Sequence, residues 1–131
     1  ARAMVFSAAM TPANTAAALA SVQLLRKEPE HWERLQESLA YMRQSFRDLG
    51  YEVADSPSAI IALLMGDEQT TFQMWKALFD NGIFVNAVIP PAVPQGQCLI
   101  RTSFMATHTR EQLDRCLEVF ARVSREMSIV S

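Results

Sequence analysis

The strands of this chain are easiest to recognise in the stretch "VNAVIPPAVPQGQCLIRTSF", residues 85–104. Two apolar segments, 83–89 and 98–104, flank a loop that contains three prolines. Both segments are rich in the aliphatic and β-branched residues that favour strands. The sequence therefore predicts two strands joined by a stiff connection, and it places Arg101 near the centre of the second strand.

Upstream of this stretch, apolar residues recur at intervals of three and four, the spacing of a helix with one buried side. Thr11 followed by Pro12 predicts the start of a first helix, which runs through residues 13–25. Pro29 predicts the start of a second helix, and Gly50 its end. The buried stripe of the second helix is expected to comprise Trp32, Leu35, Leu39, Met42, Phe46 and Leu49.

The remaining segments add one strand and two helices. The aliphatic run 59–66 predicts a strand, and Asp67 predicts the start of a third helix that the Asp80–Gly82 segment ends. Thr109 and Gln112 have the spacing of a capping box and predict the start of a last helix. The expected buried residues are Phe72, Trp75, Leu78 and Phe79 on the third helix, and Leu113, Cys116, Leu117, Phe120 and Val123 on the last.

This order of elements predicts an α+β fold, in which a small, mostly antiparallel sheet is backed by helices. A length of 131 residues, with 50% hydrophobic and 20% charged content, suits a single domain, 1–131, with a real core. The net charge of −2 gives no reason to bind nucleic acid or an anionic membrane. No apolar run approaches the roughly 20 residues that span a bilayer, and the first residues do not form a signal peptide. We therefore expect a cytoplasmic domain with small-molecule or protein partners.

Arg101 interrupts an otherwise apolar strand segment. A buried guanidinium needs an anion and several hydrogen-bond acceptors around it, and its planar fork suits a carboxylate in two-point contact. The residues alone leave two interpretations open. Arg101 either binds the carboxylate of a ligand or has a structural role, through an ion pair with Asp67 or Asp114 or through a strand end that reaches water.

The loop between the two strands contains Pro90, Pro91 and Pro94. Three prolines within five residues stiffen the backbone, so the shape of the loop is largely set before anything binds. Such a loop suits the wall or lid of a binding site. It suits equally well an irregular connection that protects a sheet edge from aggregation.

Other reactive side chains give weaker signals. Ser7 lies near a predicted helix start, where hydroxyl and backbone donors can hold a phosphate. His108 is expected to fix a turn by hydrogen bonding rather than to act as a base. Cys98 and Cys116 are expected to be buried, reduced thiols, because no CxxC or Cys/His spacing indicates a metal site. We predict neither a catalytic nucleophile nor a metal ligand from these patterns.

Three segments in order, "FSAAMTP" at 6–12, "GIFVNAVIPPAVPQG" at 82–96 and "LIRTSFMATHTREQLDRCLEVF" at 99–120, resemble the C-terminal domain of the α-oxoamine synthases. Members include serine palmitoyltransferase, 8-amino-7-oxononanoate synthase and glycine C-acetyltransferase. These pyridoxal phosphate (PLP) enzymes join an amino acid to an acyl-CoA with loss of carbon dioxide, and they share the fold of aspartate aminotransferase, fold type I. The segment "MATHT", 105–109, is more similar to bacterial serine palmitoyltransferases than to the biotin-pathway enzymes.

The resemblance implies roles for individual residues. Arg101 matches the family arginine that holds the α-carboxylate of the amino-acid substrate. Ser7 matches a contact to the PLP phosphate of the neighbouring subunit, and Ala8 stands where many relatives have a second hydroxyl. The proline loop then forms part of the active-site wall. The family further implies a homodimer with an amino acid and an acyl-CoA as substrates.

The lysine that carries PLP in the family belongs to a large domain that precedes this one. Only Lys27 and Lys76 occur in this sequence, and neither matches it, so we expect both to be surface charges. The resemblance therefore implies that the chain is the C-terminal small domain and is not active alone. The small domain of a PLP aminotransferase, and a non-catalytic α+β binding or interaction module, remain alternatives.

Overall fold

The computed structural model describes residues 10–54 and 56–129. The chain divides into two compact units, Ala1–Glu33 and Arg34–Ser131. The predicted order of elements is confirmed. It is α1 (Pro12–Lys27), α2 (Glu30–Asp48), β1 (Ile60–Gly66), α3 (Glu68–Asp80), β2 (Asn86–Val88), β3 (Cys98–Ser103) and α4 (Arg110–Glu126).

Within the first unit, α1 begins as the sequence predicts. The Thr11 hydroxyl accepts a hydrogen bond from the Asn14 amide at 3.3 Å, and Pro12 occupies the first turn. None of the residues of α1 is buried. Trp32, in the first turn of α2, is 52% exposed, so its predicted place in the buried stripe is wrong. The stripe of α2 reaches the core further along the helix: Leu39, Met42 and Phe46 are buried, and Leu35 and Leu49 are partly buried against the core, as predicted.

The second unit contains a three-stranded antiparallel sheet in which β3 lies between β1 and β2. Successive side chains in a strand lie on opposite faces of a sheet. In β3, Ile100 and Thr102 are accordingly buried, whereas Arg101 and Ser103 are exposed. Arg101 is paired with Ala62 of β1 on one side and with Asn86 of β2 on the other. This register brings Asn86 and Arg101 together on the exposed face.

The core of the second unit joins the buried face of the sheet to α2, α3 and α4. An aromatic cluster lies within it, since the rings of Phe46, Tyr51 and Phe120 meet edge to face at centroid distances of 5.0–5.9 Å. This layer arrangement confirms the predicted α+β fold. The core residues with no more than 1% of their surface exposed are Leu39, Met42, Phe46, Ile61, Leu63, Met74, Leu78, Cys98, Ile100, Phe120 and Val123.

The buried side of α3 differs from the predicted one. Thr71, Met74 and Leu78 are buried, whereas Phe72 and Phe79 are 46% and 52% exposed. The helix carries more apolar residues than one face can cover, so the spacing of 72, 75 and 79 and that of 71, 74 and 78 both fit a helical stripe. The stripe with the larger side chains is the less buried of the two. In it the rings of Trp75 and Phe79 stack with their centroids 5.9 Å apart.

Strand β2 is shorter than predicted, with three residues instead of the segment 83–89. The cause is the end of α3. The amide of Gly82 donates to the Phe79 carbonyl at 2.9 Å, and the amide of Ile83 donates to the Leu78 carbonyl at 2.9 Å. This is a Schellman motif, and Gly82 supplies the positive φ of 78° that it needs. Residues 81–82 therefore form the turn that ends the helix, residues 83–85 are irregular, and the ladder begins only at Asn86.

Candidate functional site

A cavity of about 510 Å³ lies in the second unit. Its walls are the turn 82–86, the end of β3 with the residues that follow it, 101–105, His108 and one side of α4 within 112–116. The Schellman motif and the antiparallel register explain why these segments meet. The first sets the course of residues 82–85, and the second places Asn86 beside Arg101.

Arg101 is exposed and lines the cavity, so it is not enclosed by the apolar residues that flank it in the sequence. Side chains alternate along β3, so Arg101 lies on the face opposite the buried Ile100 and Thr102. Its Nη2 donates a hydrogen bond to Asn86 Oδ1 at 3.1 Å. No carboxylate within residues 10–54 and 56–129 forms an ion pair with it. The remaining N–H groups of the fork have no hydrogen-bond partner among the described side chains.

The two acids considered as internal partners are engaged elsewhere. Asp67 caps α3, where its Oδ1 accepts from the Thr70 amide at 2.8 Å, and this backbone hydrogen bond lowers the pKa of the carboxyl. Asp114 accepts from the Tyr41 hydroxyl at 2.7 Å and from Arg110 Nε at 3.0 Å. The hydrogen bond from Tyr41 is the main cause of its lowered pKa. A structural ion pair between Arg101 and either acid is therefore excluded in this structure.

The described residues that line the cavity carry positive charge and no negative charge. Among the described residues that line it, none is acidic, and two, Arg101 and Arg115, are arginines. Neither forms an ion pair with an acid of the described chain. Its apolar lining includes Phe84, Phe104 and Met105, of which Phe84 is 78% exposed. The arrangement suits a ligand that has an anionic group beside an apolar portion.

His108 has the structural role that the sequence predicts. Its Nδ1 accepts a hydrogen bond from the Met105 amide at 3.2 Å, and its ring meets Phe104 edge to face at 6.2 Å. Because Nδ1 accepts, the proton of the neutral ring is on Nε2. His108 lines the cavity, where Nε2 is therefore a hydrogen-bond donor and not a base.

Both cysteines are free thiols, as expected. Cys98 is buried on the core face of β3, with 1% of its surface exposed. Cys116 is partly buried and lines the cavity, and burial raises the pKa of its thiol to about 11. A thiol with this pKa is protonated near neutral pH, so Cys116 is a poor nucleophile there.

Pro90, Pro91 and Pro94 do not line this cavity. Hydrogen bonds from Ala92 to Ile89 at 3.0 Å and from Gln97 to Pro94 at 3.1 Å close two turns in the loop. The stiff shape predicted from the prolines is consistent with these turns, and a role as an active-site wall stays a prediction. Ser7 lies outside the described residues, so its contact with a cofactor phosphate also stays a prediction.

The two lysines are surface charges, as expected. Lys27 is exposed at the end of α1. Lys76 is exposed on α3, where its Nζ forms an ion pair with Asp80 at 2.5 Å. Neither lines the cavity. The described residues that form the cavity thus contain no amine that could bind PLP covalently.

Sequence reasoning missed Asn86 and Arg115 as residues of this site. Asn86 belongs to the site because the register of β2 and β3 pairs it with Arg101. The sequence of the connecting loop does not predict this register. Arg115 lies next to Cys116 on α4, and nothing in its spacing separates it from the other charged residues of that helix. The family resemblance identified Arg101, because the family motif identifies a residue by its position in the sequence and does not depend on whether that residue is buried.

Comparison with known proteins identifies the family of this chain. A family model described as aminotransferase class I and II matches residues 1–120. The chain belongs to this family.

Two of the similar proteins are a serine palmitoyltransferase and an 8-amino-7-oxononanoate synthase. This chain is 40% identical over 130 residues to a serine palmitoyltransferase of Bacteroides ovatus. The aligned segment is 99% of this chain and 33% of the relative. It is 34% identical over 129 residues to an 8-amino-7-oxononanoate synthase of Alkaliphilus oremlandii. That alignment spans 98% of this chain and 33% of the relative. Both names belong to the group that the sequence motifs resemble, and the resemblance is confirmed.

Solved structures give the same result. A serine palmitoyltransferase of S. paucimobilis with PLP and myriocin bound superposes with a TM-score of 0.86 and 31% identity, over 95% of this chain and 32% of that one. The fold is therefore that of the corresponding part of a fold type I enzyme. The chain spans about a third of the length of the relatives it matches. None of the helices formed by described residues is both long enough and apolar enough to span a membrane.

Proposed function

We propose that this chain, residues 1–131, is the C-terminal small domain of a PLP-dependent α-oxoamine synthase, with serine palmitoyltransferase as the favoured branch. In this proposal the complete enzyme condenses an amino acid with an acyl-CoA and releases carbon dioxide. Arg101 binds the α-carboxylate of the amino acid. The complete enzyme is a cytoplasmic homodimer, and the large domain supplies the lysine that binds PLP.

The observation that carries the proposal is the state of Arg101. Its guanidinium lies at the wall of a cavity whose described lining has no acid, and its one hydrogen bond within the described chain goes to a neutral amide. No acid among residues 10–54 and 56–129 compensates the positive charge by an ion pair. A carboxylate that enters the cavity can take two parallel N–H donors from the fork, which is the strongest contact an arginine makes with a carboxylate.

The residues present fit the substrate better than the cofactor. The cavity has an arginine for a carboxylate, and it has no lysine for PLP. When PLP is bound in the complete enzyme, it supplies an electron sink for the bonds at the α-carbon of the amino acid. The contribution of this chain is to bind and orient the substrate by its carboxylate.

The other cavity residues support this role of Arg101. The cavity has an apolar lining that includes Phe84, Phe104 and Met105. Where such a lining excludes water, a contact between a guanidinium and a carboxylate becomes stronger. His108 presents an Nε2–H donor.

Arginines in this domain also bind substrate carboxylates in aminotransferases, and the family description includes that reaction. The names of the similar proteins favour acyl transfer. Analysis of the products of the complete enzyme separates the two. Acyl transfer releases carbon dioxide and free CoA, whereas transamination converts the amino acid to a 2-oxo acid without either.

Arg101→Ala in the complete enzyme tests the role of the guanidinium. Loss of the charged contact is expected to lower kcat/KM for the amino acid by an amount equivalent to about 2–5 kcal/mol. The KM for the acyl-CoA should change little, because the lost contact is to the amino acid. Arg101→Lys should recover only part of the loss, since an ammonium cannot form the two-point contact.

Arg122→Ala is the matched control. Arg122 also donates to an asparagine, Asn81, at 2.6 Å, and it does not line the cavity. Its removal should leave amino-acid kinetics unchanged. If Arg101→Ala leaves the dependence of the rate on amino-acid concentration unchanged, the proposed role of Arg101 is wrong.

A further inference from the structure

Asn86 and Arg101 form a side-chain pair across two strands. They are directly opposite each other in the β2–β3 ladder, and both line the cavity. Paired residues of antiparallel strands lie on the same face, with their Cβ atoms about 4.5–5.5 Å apart. Asn86 Oδ1 accepts from Arg101 Nη2 at 3.1 Å. The contact is therefore set by the backbone register.

The chemistry of the pair fixes how the amide is oriented. A guanidinium has donors only, so Asn86 must present its oxygen to Arg101. This hydrogen bond uses one of the five N–H groups of the fork and leaves four for other partners. Within residues 10–54 and 56–129, Arg101 forms no other side-chain hydrogen bond. The amide thus holds the fork at one corner and leaves the rest of it open to the cavity.

The neutrality of Asn86 matters as much as its oxygen. An aspartate at the same position would also accept from Nη2, but it would form an ion pair and occupy the charge that a substrate carboxylate needs. A neutral amide orients the guanidinium and leaves its charge uncompensated. An arginine side chain has several rotatable bonds, and a contact that restricts them before binding reduces the entropy lost when the substrate arrives.

We propose that Asn86 is a positioning residue that holds the guanidinium of Arg101 in the orientation that receives the substrate carboxylate. This inference rests on the function proposed above for Arg101, and it deepens that function by adding a residue that acts through the arginine.

The test uses the complete enzyme with Asn86→Ala, Asn86→Asp, Arg101→Ala and the double variant Asn86→Ala/Arg101→Ala. Asn86→Ala should raise the KM for the amino acid about five- to tenfold, the range for loss of one hydrogen bond between the guanidinium and a neutral acceptor. The values of kcat and of the KM for acyl-CoA should stay within about twofold. In the Arg101→Ala background, the further change Asn86→Ala should have no effect on the KM for the amino acid.

Asn86→Asp separates a positioning role from a purely structural one. Aspartate matches asparagine in shape, so a role in the fold alone predicts that Asn86→Asp is milder than Asn86→Ala. The positioning role predicts the opposite order, because the new carboxylate pairs with Arg101 and competes with the substrate. Asn86→Asp should raise the KM for the amino acid more than Asn86→Ala does.

Asn81→Ala provides the matched control. Asn81 also accepts from an arginine, Arg122, and its Nδ2 donates to the Ala77 carbonyl at 2.8 Å, but it does not line the cavity. Its removal should lower the melting temperature and leave the KM for the amino acid unchanged. Melting temperatures of all variants show whether a change in KM accompanies a change in folding.

The outcomes distinguish the two proposals. If Arg101→Ala raises the KM for the amino acid but Asn86→Ala does not, the positioning role is overturned and the function of Arg101 stands. The same conclusion follows if Asn86→Asp is milder than Asn86→Ala, or if Asn86→Ala has an equal effect with and without Arg101. If Arg101→Ala itself has no effect, both proposals are overturned.

Discussion

Ile100 and Arg101 are neighbours in β3, and their surroundings differ completely. Ile100 has 0% of its surface exposed and packs in the core, whereas Arg101 is exposed at the wall of the cavity. Their partners in the sheet follow the same division, since Leu63, opposite Ile100, is buried and Asn86, opposite Arg101, is exposed. One strand therefore contributes to the stability of the unit with one face and to a candidate binding site with the other.

The difference teaches that the direction of a side chain, and not its neighbours in sequence, determines what it can do. The apolar residues around Arg101 suggested a buried charge. Because side chains alternate along the strand, those residues lie on the far face or are only partly covered. Within the described chain, no acid forms an ion pair with Arg101 and none lines its cavity, so Arg101 is available to an external anion.

The largest expected effect lies on the buried face. Ile100→Ala removes a fully buried side chain and leaves a cavity, so it should lower the free energy of unfolding by about 2–5 kcal/mol. Chemical denaturation of the full-length protein measures this change. Leu99→Ala is the matched control, because Leu99 is only partly buried and lies on the other face of the same strand. If the two variants lose equal stability, the two faces of β3 do not differ as described.

Much of this architecture follows from local chemistry that the sequence displays. Thr11, Asp67 and Thr109 each cap a helix as predicted. The capping box of α4 is complete, because the Thr109 hydroxyl accepts from the Gln112 amide at 3.3 Å and Gln112 Oε1 accepts from the Thr109 amide at 3.0 Å. Gly50 and Gly82 have the positive φ angles expected of glycines that end helices. Caps and helix-ending glycines depend on a few adjacent residues, so they can be predicted from the sequence without knowledge of the tertiary contacts.

The errors concern choices made by tertiary packing. On α3, two apolar stripes compete, and only the packing of the second unit selects Thr71, Met74 and Leu78. The sequence left open whether Arg101 is exposed, because this depends on which face of β3 lies against the core. The pairing of Asn86 with Arg101 depended on the register across a loop with three prolines. The motif that resembles the family identified the arginine, and only the structure supplied its partner.

A smaller effect is expected from the hydroxyl on the buried face. Thr102 Oγ1 donates to the Ile61 carbonyl at 2.9 Å, and Thr102 is 3% exposed. Thr102→Val keeps the shape of the side chain and removes this hydrogen bond, so it should lower the free energy of unfolding by about 1–2 kcal/mol. The same exchange at exposed Thr107 should change stability by no more than about 0.5 kcal/mol. A neutral result at Thr102 would mean that the buried face gains nothing from its polar contact.

The smallest effect on stability should come from the residue with the largest expected effect on function. Arg101→Ala should change the free energy of unfolding by no more than about 0.5 kcal/mol, because the side chain is exposed and forms one hydrogen bond to a neutral amide. Denaturation of the full-length protein without substrate measures it, and Arg122→Ala, on the surface of α4, is the comparison. A loss above about 1.5 kcal/mol would show that the fold depends on the guanidinium. Its charge would then already be used by the protein, and the argument that it awaits a substrate carboxylate would fail.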